Sequence, residues 1–220
     1  MLTLPATPAD AEWRQVRFMV FELPGAPGTF AQRAARIQAL AANPKLKGLR
    51  PMLQDIADPD WILQPALVPA LQAMCDLGLV LDALIKPVHL PRMLTLAARY
   101  PALALVIDHA AKPDIAAGQW EPWASDLARV AEQTGAVCKI SGLLTEAGPQ
   151  PKPDAARRWT AHVLQVFGED RVMWGSDWPV LELAGSYSAW WQASQRLSAS
   201  LTEAGRQALY GGTARRVYRL

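Results

Sequence analysis

A carboxylate, Asp177, lies where an apolar segment of the chain stops. The segment Val172–Trp174 has the composition of a buried strand. It is followed by Gly175–Ser176 and then by Pro179, which has no N–H group for a β-ladder. A carboxylate at the end of a buried strand must be paired, bound to a cation or held over a pocket, unless it caps the next turn. Both readings are open for Asp177 alone, and the first makes it a candidate general base.

His109 ends a second apolar segment in the same way, two residues after Ile107. Because side chains alternate along a strand with a period of two, the pattern predicts that His109 and Ile107 share a face. A lone buried histidine is more often a hydrogen-bonded part of the structure than a ligand or a catalyst. A histidine and an aspartate at two separate strand ends favour a shared site, so we predict that His109 and Asp177 face one cavity.

Lys139 and Ser141 end a third apolar segment, and the same argument makes them candidates for that site. The alternative for Lys139 is a buried ion-pair partner of Asp108 or Asp177, because a buried charge requires a counter-charge. The sequence does not distinguish a functional lysine from a structural one.

A fold must bring these strand ends together. Strand and helix patterns alternate along the whole chain with a repeat of about thirty residues, which is the size of one βαβ unit. The predicted strands are Val16–Leu23, Lys47–Leu53, Leu79–Lys86, Leu103–His109, Ala136–Ser141 and Arg171–Asp177. The predicted helices are Thr29–Ala42, Pro65–Leu77, Pro91–Tyr100, Pro122–Thr134, Asp154–Phe167, Tyr187–Ser198 and Thr202–Arg219. Apolar strands that alternate with helices predict an α/β fold with a parallel sheet.

A (β/α) barrel fits this pattern better than a doubly wound nucleotide-binding sheet. The segment Pro24–Gly28 after the first strand lacks the GxGxxG spacing and has prolines where backbone N–H groups would be needed. In a barrel the functional residues lie at the carboxyl ends of the strands. The polar residues at these ends are Arg50, Lys86, His109, Lys139, Ser141 and Asp177.

Composition excludes several classes of function. The formal net charge is +2, from 22 basic and 20 acidic residues, which gives no electrostatic case for binding nucleic acid or an anionic membrane. The two cysteines, Cys75 and Cys138, show no metal or disulfide pattern and are expected to be buried free thiols. The amino-terminal segment has no signal-peptide pattern, and no apolar run reaches membrane-spanning length. We expect one cytoplasmic domain over residues 1–220, with residues 1–13 irregular.

Five segments together give the chain a specific resemblance. KGLRPMLQDI, LDALIKPVHLP, VIDHAAKP, CKISGLLTEA and WGSDWPV, in this order and spacing, resemble the amidohydrolase-related (amidohydrolase family 2) proteins. Within that family the chain is most similar to the sugar-lactone hydrolases of the L-fuconolactonase and L-rhamnonolactonase type. The resemblance implies a TIM-barrel, (β/α)8 fold in which His109 and Asp177 end the sixth and eighth strands.

The resemblance also implies roles for these residues. His109 and Asp177 would be catalytic, with Asp177 as the general base that deprotonates water, and both would be ligands of one divalent metal, zinc or manganese. Some members of the wider group work without a metal. The candidates for binding substrate hydroxyl or carboxylate groups are Arg50, Lys86 and Lys112. The candidates for a flat apolar wall against which a sugar ring stacks are Trp61 and Trp178.

The chain departs from the family pattern at its start. Family members carry a His-x-His pair on the first strand, whereas the three histidines here, His89, His109 and His162, do not form such a pair. The six predicted strands match the third to eighth of the family, so we expect an open, incomplete barrel with weak metallohydrolase activity.

The leading functional hypothesis is a hydrolase of carbohydrate catabolism that opens a sugar or aldonic acid lactone. The alternatives are another hydrolase or decarboxylase of the same family, or a non-catalytic remnant that binds a sugar acid. The expected partners are a small-molecule lactone or sugar acid and other copies of the chain, without nucleic acid or membrane.

Overall fold

The strands that the structure describes form one parallel sheet in sequence order. The computed structural model describes residues 18–21, 37–152 and 154–220, with the backbone alone for 18–21. The strands are β1 Phe18–Phe21, β2 Leu46–Arg50, β3 Val80–Ala83, β4 Ala104–Ile107, β5 Val137–Ile140 and β6 Val172–Trp174. They pair in the order β1-β2-β3-β4-β5-β6, and every neighbouring pair is parallel. The predicted α/β class is therefore confirmed.

Helices follow the strands as the sequence predicts. They are α1 Val68–Asp76, α2 Leu90–Arg99, α3 Trp123–Gln133, α4 Arg157–Phe167, α5 Tyr187–Leu197, α6 Glu203–Gln207 and α7 Thr213–Tyr218. Residues 37–41 are also helical, while the rest of the predicted helix Thr29–Ala42 and the predicted irregular residues 1–13 lie outside the described residues. Within the described part of the chain, no helix has the length and apolarity needed to cross a bilayer.

The apolar stripes predicted for the helices face the core. In α3 the side chains of Trp123, Leu127 and Val130 are buried, at the spacing that places them on one side of a helix. In α4 the buried side chains include Trp159 and Val163. Since polar residues occupy the other side of these helices, burial of the stripe fixes how each helix lies on the sheet.

The helical stretch predicted over Thr202–Arg219 is present, but it is kinked. α6 ends at Gln207, a wider π-helical turn covers Ala208–Gly212, and α7 then begins at Thr213. Within that turn Gly211 leaves the helical conformation. A glycine pair loses more backbone freedom in a helix than other residues do, so the break falls there.

Several strands end earlier than predicted. β3 stops at Ala83 rather than Lys86, and β4 stops at Ile107 rather than His109. The residues beyond these points leave the ladder to form turns at the carboxyl edge of the sheet. The apolar pattern continues past the end of pairing because these turns are themselves buried.

The two faces of the sheet pack against different partners. The larger cluster fills the space between the sheet and the helices and includes Leu81 and Ile107. On the opposite face Tyr218 of α7 packs with a smaller cluster, whose strand members are Val80, Val106, Val137 and Met173. β3 is buried along its whole length, as its continuous apolar pattern predicts for a strand that is covered on both faces.

The sheet corresponds to part of a (β/α) barrel. Among the strands that the structure describes, β1 pairs with β2 alone and β6 with β5 alone, so the ladder does not close between β1 and β6. This order and the alternation with helices are those predicted for an incomplete barrel. The carboxyl ends of all six strands therefore meet at one edge.

The two cysteines should differ in reactivity. Both are free thiols; Cys138 is buried in β5 and Cys75 is partly exposed on α1. Burial raises the pKa of both thiols, and Cys138 is the more deeply enclosed. We expect a thiol reagent at pH 8 to label Cys75 alone in the native protein and both cysteines in denaturant. Rapid native labelling of Cys138, followed by peptide mass spectrometry, would contradict this burial.

Candidate active site

The structure brings His109 and Asp177 together, although β5 lies between the strands that carry them. His109 Nε2 is 3.6 Å from Asp177 Oδ1, and their side chains are 10% and 15% exposed. At the carboxyl edge of the sheet, His109 is thus buried and Asp177 is partly exposed. The structure thus shows that the two strand ends lie side by side, as predicted, while a cavity shared by them stays a prediction.

His109 reaches this position through an unusual backbone turn. Four consecutive residues, His109 to Lys112, have φ between 49° and 60°, a conformation that costs about 1–2 kcal/mol for each residue with a side chain. The turn is held by the surrounding structure, since Trp123 Nε1 donates to the carbonyl of Ala110 at 2.7 Å. Backbone strain of this kind is concentrated at functional sites.

This turn also corrects the sequence prediction about faces. β4 ends at Ile107, whose side chain belongs to the cluster under the helices. The strand alternation does not continue through a left-handed turn, so His109 points instead toward Asp108, Ser141 and Asp177. The prediction that His109 shares the face of Ile107 is wrong for this reason.

The His109 ring is oriented by its neighbours. Nδ1 forms a 2.7 Å hydrogen bond with Ser141 Oγ, which leaves Nε2 directed toward the carboxylates of Asp177, at 3.6 Å, and Asp108, at 3.8 Å. Gly142 provides the space: a Cβ added there would lie 2.9 Å from His109 Nδ1 and 3.1 Å from Asp177 Oδ2. Sequence reasoning missed Gly142, for which the CKISG segment gave no signal beyond a strand end.

Behind His109, a chain of charged groups is buried within the sheet. Lys139 Nζ lies 2.9 Å from Asp108 Oδ1 and 3.3 Å from Asp82 Oδ1. Arg50 Nη1 lies 3.1 Å from Asp108 Oδ2, and the Tyr218 hydroxyl donates to Asp82 Oδ1 at 2.6 Å. Of the alternatives for Lys139, the structure thus shows the ion pair with Asp108.

Sequence reasoning did not include Asp82 or Tyr218 among the candidates. The signal for Asp82 was present, because a carboxylate in the middle of an otherwise apolar strand must have a buried partner. No sequence pattern pointed to Tyr218, since its contact spans 136 positions of the chain.

Burial and neighbouring charges set the ionisation of this network. Burial raises the pKa of Asp108, but Lys139, His109 and Arg50 together outweigh it and hold the pKa below the ordinary value. Burial lowers the pKa of Lys139, but Asp108 and Asp82 raise it more, so the lysine stays cationic. For Asp82 burial is the larger effect and raises the pKa, against the attraction of Lys139.

The pKa values of His109 and Asp177 are shifted in directions suited to proton transfer. Burial lowers the pKa of His109, against the opposing effect of Asp108 and Asp177, and favours the neutral imidazole. Burial also raises the pKa of Asp177, partly offset by His109. A carboxylate with a raised pKa is a stronger base than a solvated one, and this direction suits Asp177 to accept a proton from water.

Replacing Lys139 by methionine should strongly destabilise the fold. The substitution leaves the carboxylates of Asp82 and Asp108 buried without the cation between them, and breaking a buried ion pair costs about 3–5 kcal/mol. Urea denaturation should show this loss for Lys139→Met and a change of less than about 1 kcal/mol for Lys47→Met on β2. Equal stability of the two variants would contradict the network.

Two of the predicted substrate-binding cations lie near the pair. Arg50 and Lys112 both lower the pKa of Asp177, which places their charges within its electrostatic range. Each is also held by a carboxylate, Arg50 by Asp108 at 3.1 Å and Lys112 by Glu146 at 3.0 Å. Their orientation is therefore fixed before any ligand arrives.

The other three predicted binding residues differ in their exposure. Lys86 is exposed and lines a cleft of about 450 Å³ whose other walls include Gln54 and His89. Trp61 packs partly buried against the main core. Trp178 is 63% exposed, with its indole N–H donating to Glu182 at 2.9 Å. Of these three, Trp178 follows Asp177 directly in the sequence, and its indole is largely exposed.

His109 and Asp177 supply two donor atoms of the kinds that a divalent metal binds. A separation of 3.6 Å between His109 Nε2 and Asp177 Oδ1 is too long for a hydrogen bond. It is close to the roughly 3.4 Å expected between two ligands of one tetrahedral zinc, from bond lengths near 2.1 Å. The two residues thus fit as two ligands, although the described residues contain no group of three metal-binding side chains.

A parallel α/β barrel segment that carries a carboxylate, an imidazole and cations at the carboxyl ends of its strands has the architecture of the barrel hydrolases. The chain belongs to the amidohydrolase family, whose sequence profile matches residues 9–220. The resemblance drawn from the five sequence segments is thereby confirmed.

Curated relatives and solved structures agree with this assignment. An L-fucono-1,5-lactonase of Burkholderia ambifaria is 47% identical over 191 residues, covering 84% of this chain and 66% of the relative. The L-fucono-1,5-lactonase of Burkholderia multivorans is 38% identical, covering 80% and 64%. A Burkholderia multivorans amidohydrolase solved with bound zinc is 34% identical with a TM-score of 0.85, covering 96% of this chain and 75% of that one. The chain thus spans slightly less than two thirds of the length of the two curated lactonases.

Proposed function

We propose that this protein is a hydrolase that opens a sugar lactone by attack of water on the ester carbonyl. The observation that carries the proposal is the Asp177 carboxylate, with its raised pKa, 3.6 Å from His109 at the carboxyl edge of the sheet. The names of the two curated relatives give the substrate class, a 1,5-lactone of a six-carbon sugar acid.

In this mechanism Asp177 acts first as a base. It takes a proton from water as the water oxygen forms a bond to the lactone carbonyl carbon. The carbonyl oxygen becomes negative and is stabilised by Arg50, whose guanidinium is held in place by Asp108. The bond from the carbonyl carbon to the ring oxygen then breaks, and Asp177 returns the proton to the departing oxygen. The product is an open-chain hydroxy acid.

We also propose that one divalent metal, zinc or manganese, binds His109 and Asp177. When bound, such a metal polarises a carbonyl and lowers the pKa of water. The zinc-bound relative and the spacing of the two donors support this proposal. A hydrogen bond in which His109 Nδ1–H donates to Ser141 Oγ would fix the imidazole in the tautomer that leaves Nε2 unprotonated and available as a ligand.

The remaining substrate contacts follow from position. We propose that Arg50 and Lys112 contact hydroxyl or ring oxygens of the lactone and that Trp178 provides a flat apolar wall for the sugar ring. Lys86 is proposed as a further cation for substrate hydroxyl or carboxylate groups, and Trp61 as a further part of the apolar wall. The cytoplasmic location, the absence of nucleic-acid and membrane partners, and self-association remain predictions.

The direct test is turnover of L-fucono-1,5-lactone, followed by acid release in weak buffer with the spontaneous rate subtracted. We expect saturable hydrolysis that scales with protein concentration, with the rate measured after metal chelation and after adding zinc or manganese. Control substrates are an aromatic-acid lactone and an aromatic carboxylic acid. Turnover of these controls in place of the sugar lactone would favour another amidohydrolase reaction, and binding of a sugar acid without turnover of any substrate would favour a non-catalytic remnant.

A further inference from the structure

Lys139 makes more contacts than the neutralisation of one buried carboxylate would require. Lys139 Nζ touches two carboxylates that belong to different strands, Asp82 on β3 and Asp108 directly after β4. Asp108 is the residue next to His109, and its Oδ2 lies 3.8 Å from His109 Nε2. Lys139 is therefore one contact away from the imidazole.

The lysine is itself held from the other side. Tyr218 on α7 donates a 2.6 Å hydrogen bond to Asp82, and its ring lies 5.9 Å from Lys139 Nζ, at the distance of a cation–π contact. Asp82 and Asp108 are fully buried, so these side chains have no solvent in which to rearrange. A linked series runs from α7 through the sheet to the active site: Tyr218, Asp82, Lys139, Asp108 and His109.

We propose that Lys139 is a positioning residue of the hydrolytic site, and that Asp82 and Tyr218 keep it in the orientation that aims Asp108 at Arg50 and His109. The expected effect of Lys139 on catalysis rests on the proposed function. The orientation of His109 can be observed without substrate. In this arrangement α7 supports the active site from below through Tyr218, and it also covers the face of the sheet that carries the smaller apolar cluster. Lys112 is held by Glu146 outside this network, and Arg50 keeps its own contact with Asp108, so we expect loss of Lys139 to affect kcat more than KM.

The main test uses a variant that keeps the buried charge balanced. Asp82→Asn with Lys139→Met removes one negative and one positive charge together, and Asp108 keeps its contact with Arg50. We expect a folded protein in which kcat falls about tenfold while KM changes less than about twofold. The nitrogen chemical shifts of the His109 ring, measured by NMR without substrate, should also move.

A milder pair of variants provides a matched control. Tyr218→Phe removes only the hydroxyl that contacts Asp82, and Tyr210→Phe removes a hydroxyl whose partner, at 2.9 Å, is Ser198 on the outer side of the sheet. We expect Tyr218→Phe to lower kcat about threefold and to shift the His109 resonances in the same direction as the double variant. Tyr210→Phe should leave both unchanged.

The outcomes separate this inference from the proposed function. If folded variants keep both the wild-type kcat and the wild-type His109 resonances, the positioning role is wrong and the lactonase proposal stands. If the wild-type protein hydrolyses no lactone, the proposed function is wrong, and the His109 resonances still decide the positioning role. Should the double variant fail to fold, the comparison of Tyr218→Phe with Tyr210→Phe decides the matter.

Discussion

Replacing Asp177 by asparagine should lower kcat for lactone hydrolysis by about two to four orders of magnitude, with little loss of stability. The substitution keeps the shape of the side chain and removes the group that accepts the proton from water. Asp177 has a φ of 60°, a conformation that asparagine tolerates as well as aspartate, so the turn should persist. Burial already disfavours the charged form of Asp177, so a neutral amide carries no added desolvation cost.

The matched control for this variant is Asp76→Asn, at the end of α1. Asp76 is exposed and accepts a hydrogen bond from Gln72 on the same helix. Steady-state kinetics and thermal unfolding of both variants should show wild-type kcat for Asp76→Asn and unchanged unfolding for both. A kcat for Asp177→Asn within about threefold of wild type would exclude Asp177 as the base.

The positions of the two principal groups could be predicted because they depend on a local pattern. An apolar run that stops at a polar residue marks the carboxyl end of a buried strand, and parallel strands bring such ends to one edge. This argument was enough to bring His109, Lys139, Ser141 and Asp177 into one region. It also gave the alternation of strands and helices, and the strand order follows from short connections.

The details within the site depended on contacts that no local pattern contains. The orientation of His109 follows from a left-handed turn of residues with side chains, which sequence preferences disfavour. The partners of Lys139 come from two strands and from α7, far apart in the chain. Gly142 was indistinguishable from an ordinary loop glycine, although a side chain there would meet both His109 and Asp177.

Substitution of Gly142 by alanine is expected to have a second large effect on activity, and Gly118 provides a matched control position. Gly142 and Gly118 have nearly the same positive φ, 65° and 66°. A Cβ at Gly142 would lie 2.9 Å from His109 Nδ1, whereas a Cβ at Gly118 would have no atom within 4 Å. Alanine at either position costs about 1 kcal/mol of backbone strain, and at Gly142 it also displaces the imidazole.

We therefore expect Gly142→Ala to lower kcat about 100-fold, because small displacements of catalytic groups have effects of that size. Gly118→Ala should lose a similar amount of stability in urea and keep the wild-type kcat. The His109 ring cannot move aside freely, since Ser141 holds Nδ1 at 2.7 Å and Asp177 lies on its other side. If both alanine variants lose activity to the same degree, backbone strain rather than contact with His109 explains the need for glycine, and the packing around the imidazole is less demanding than the structure indicates.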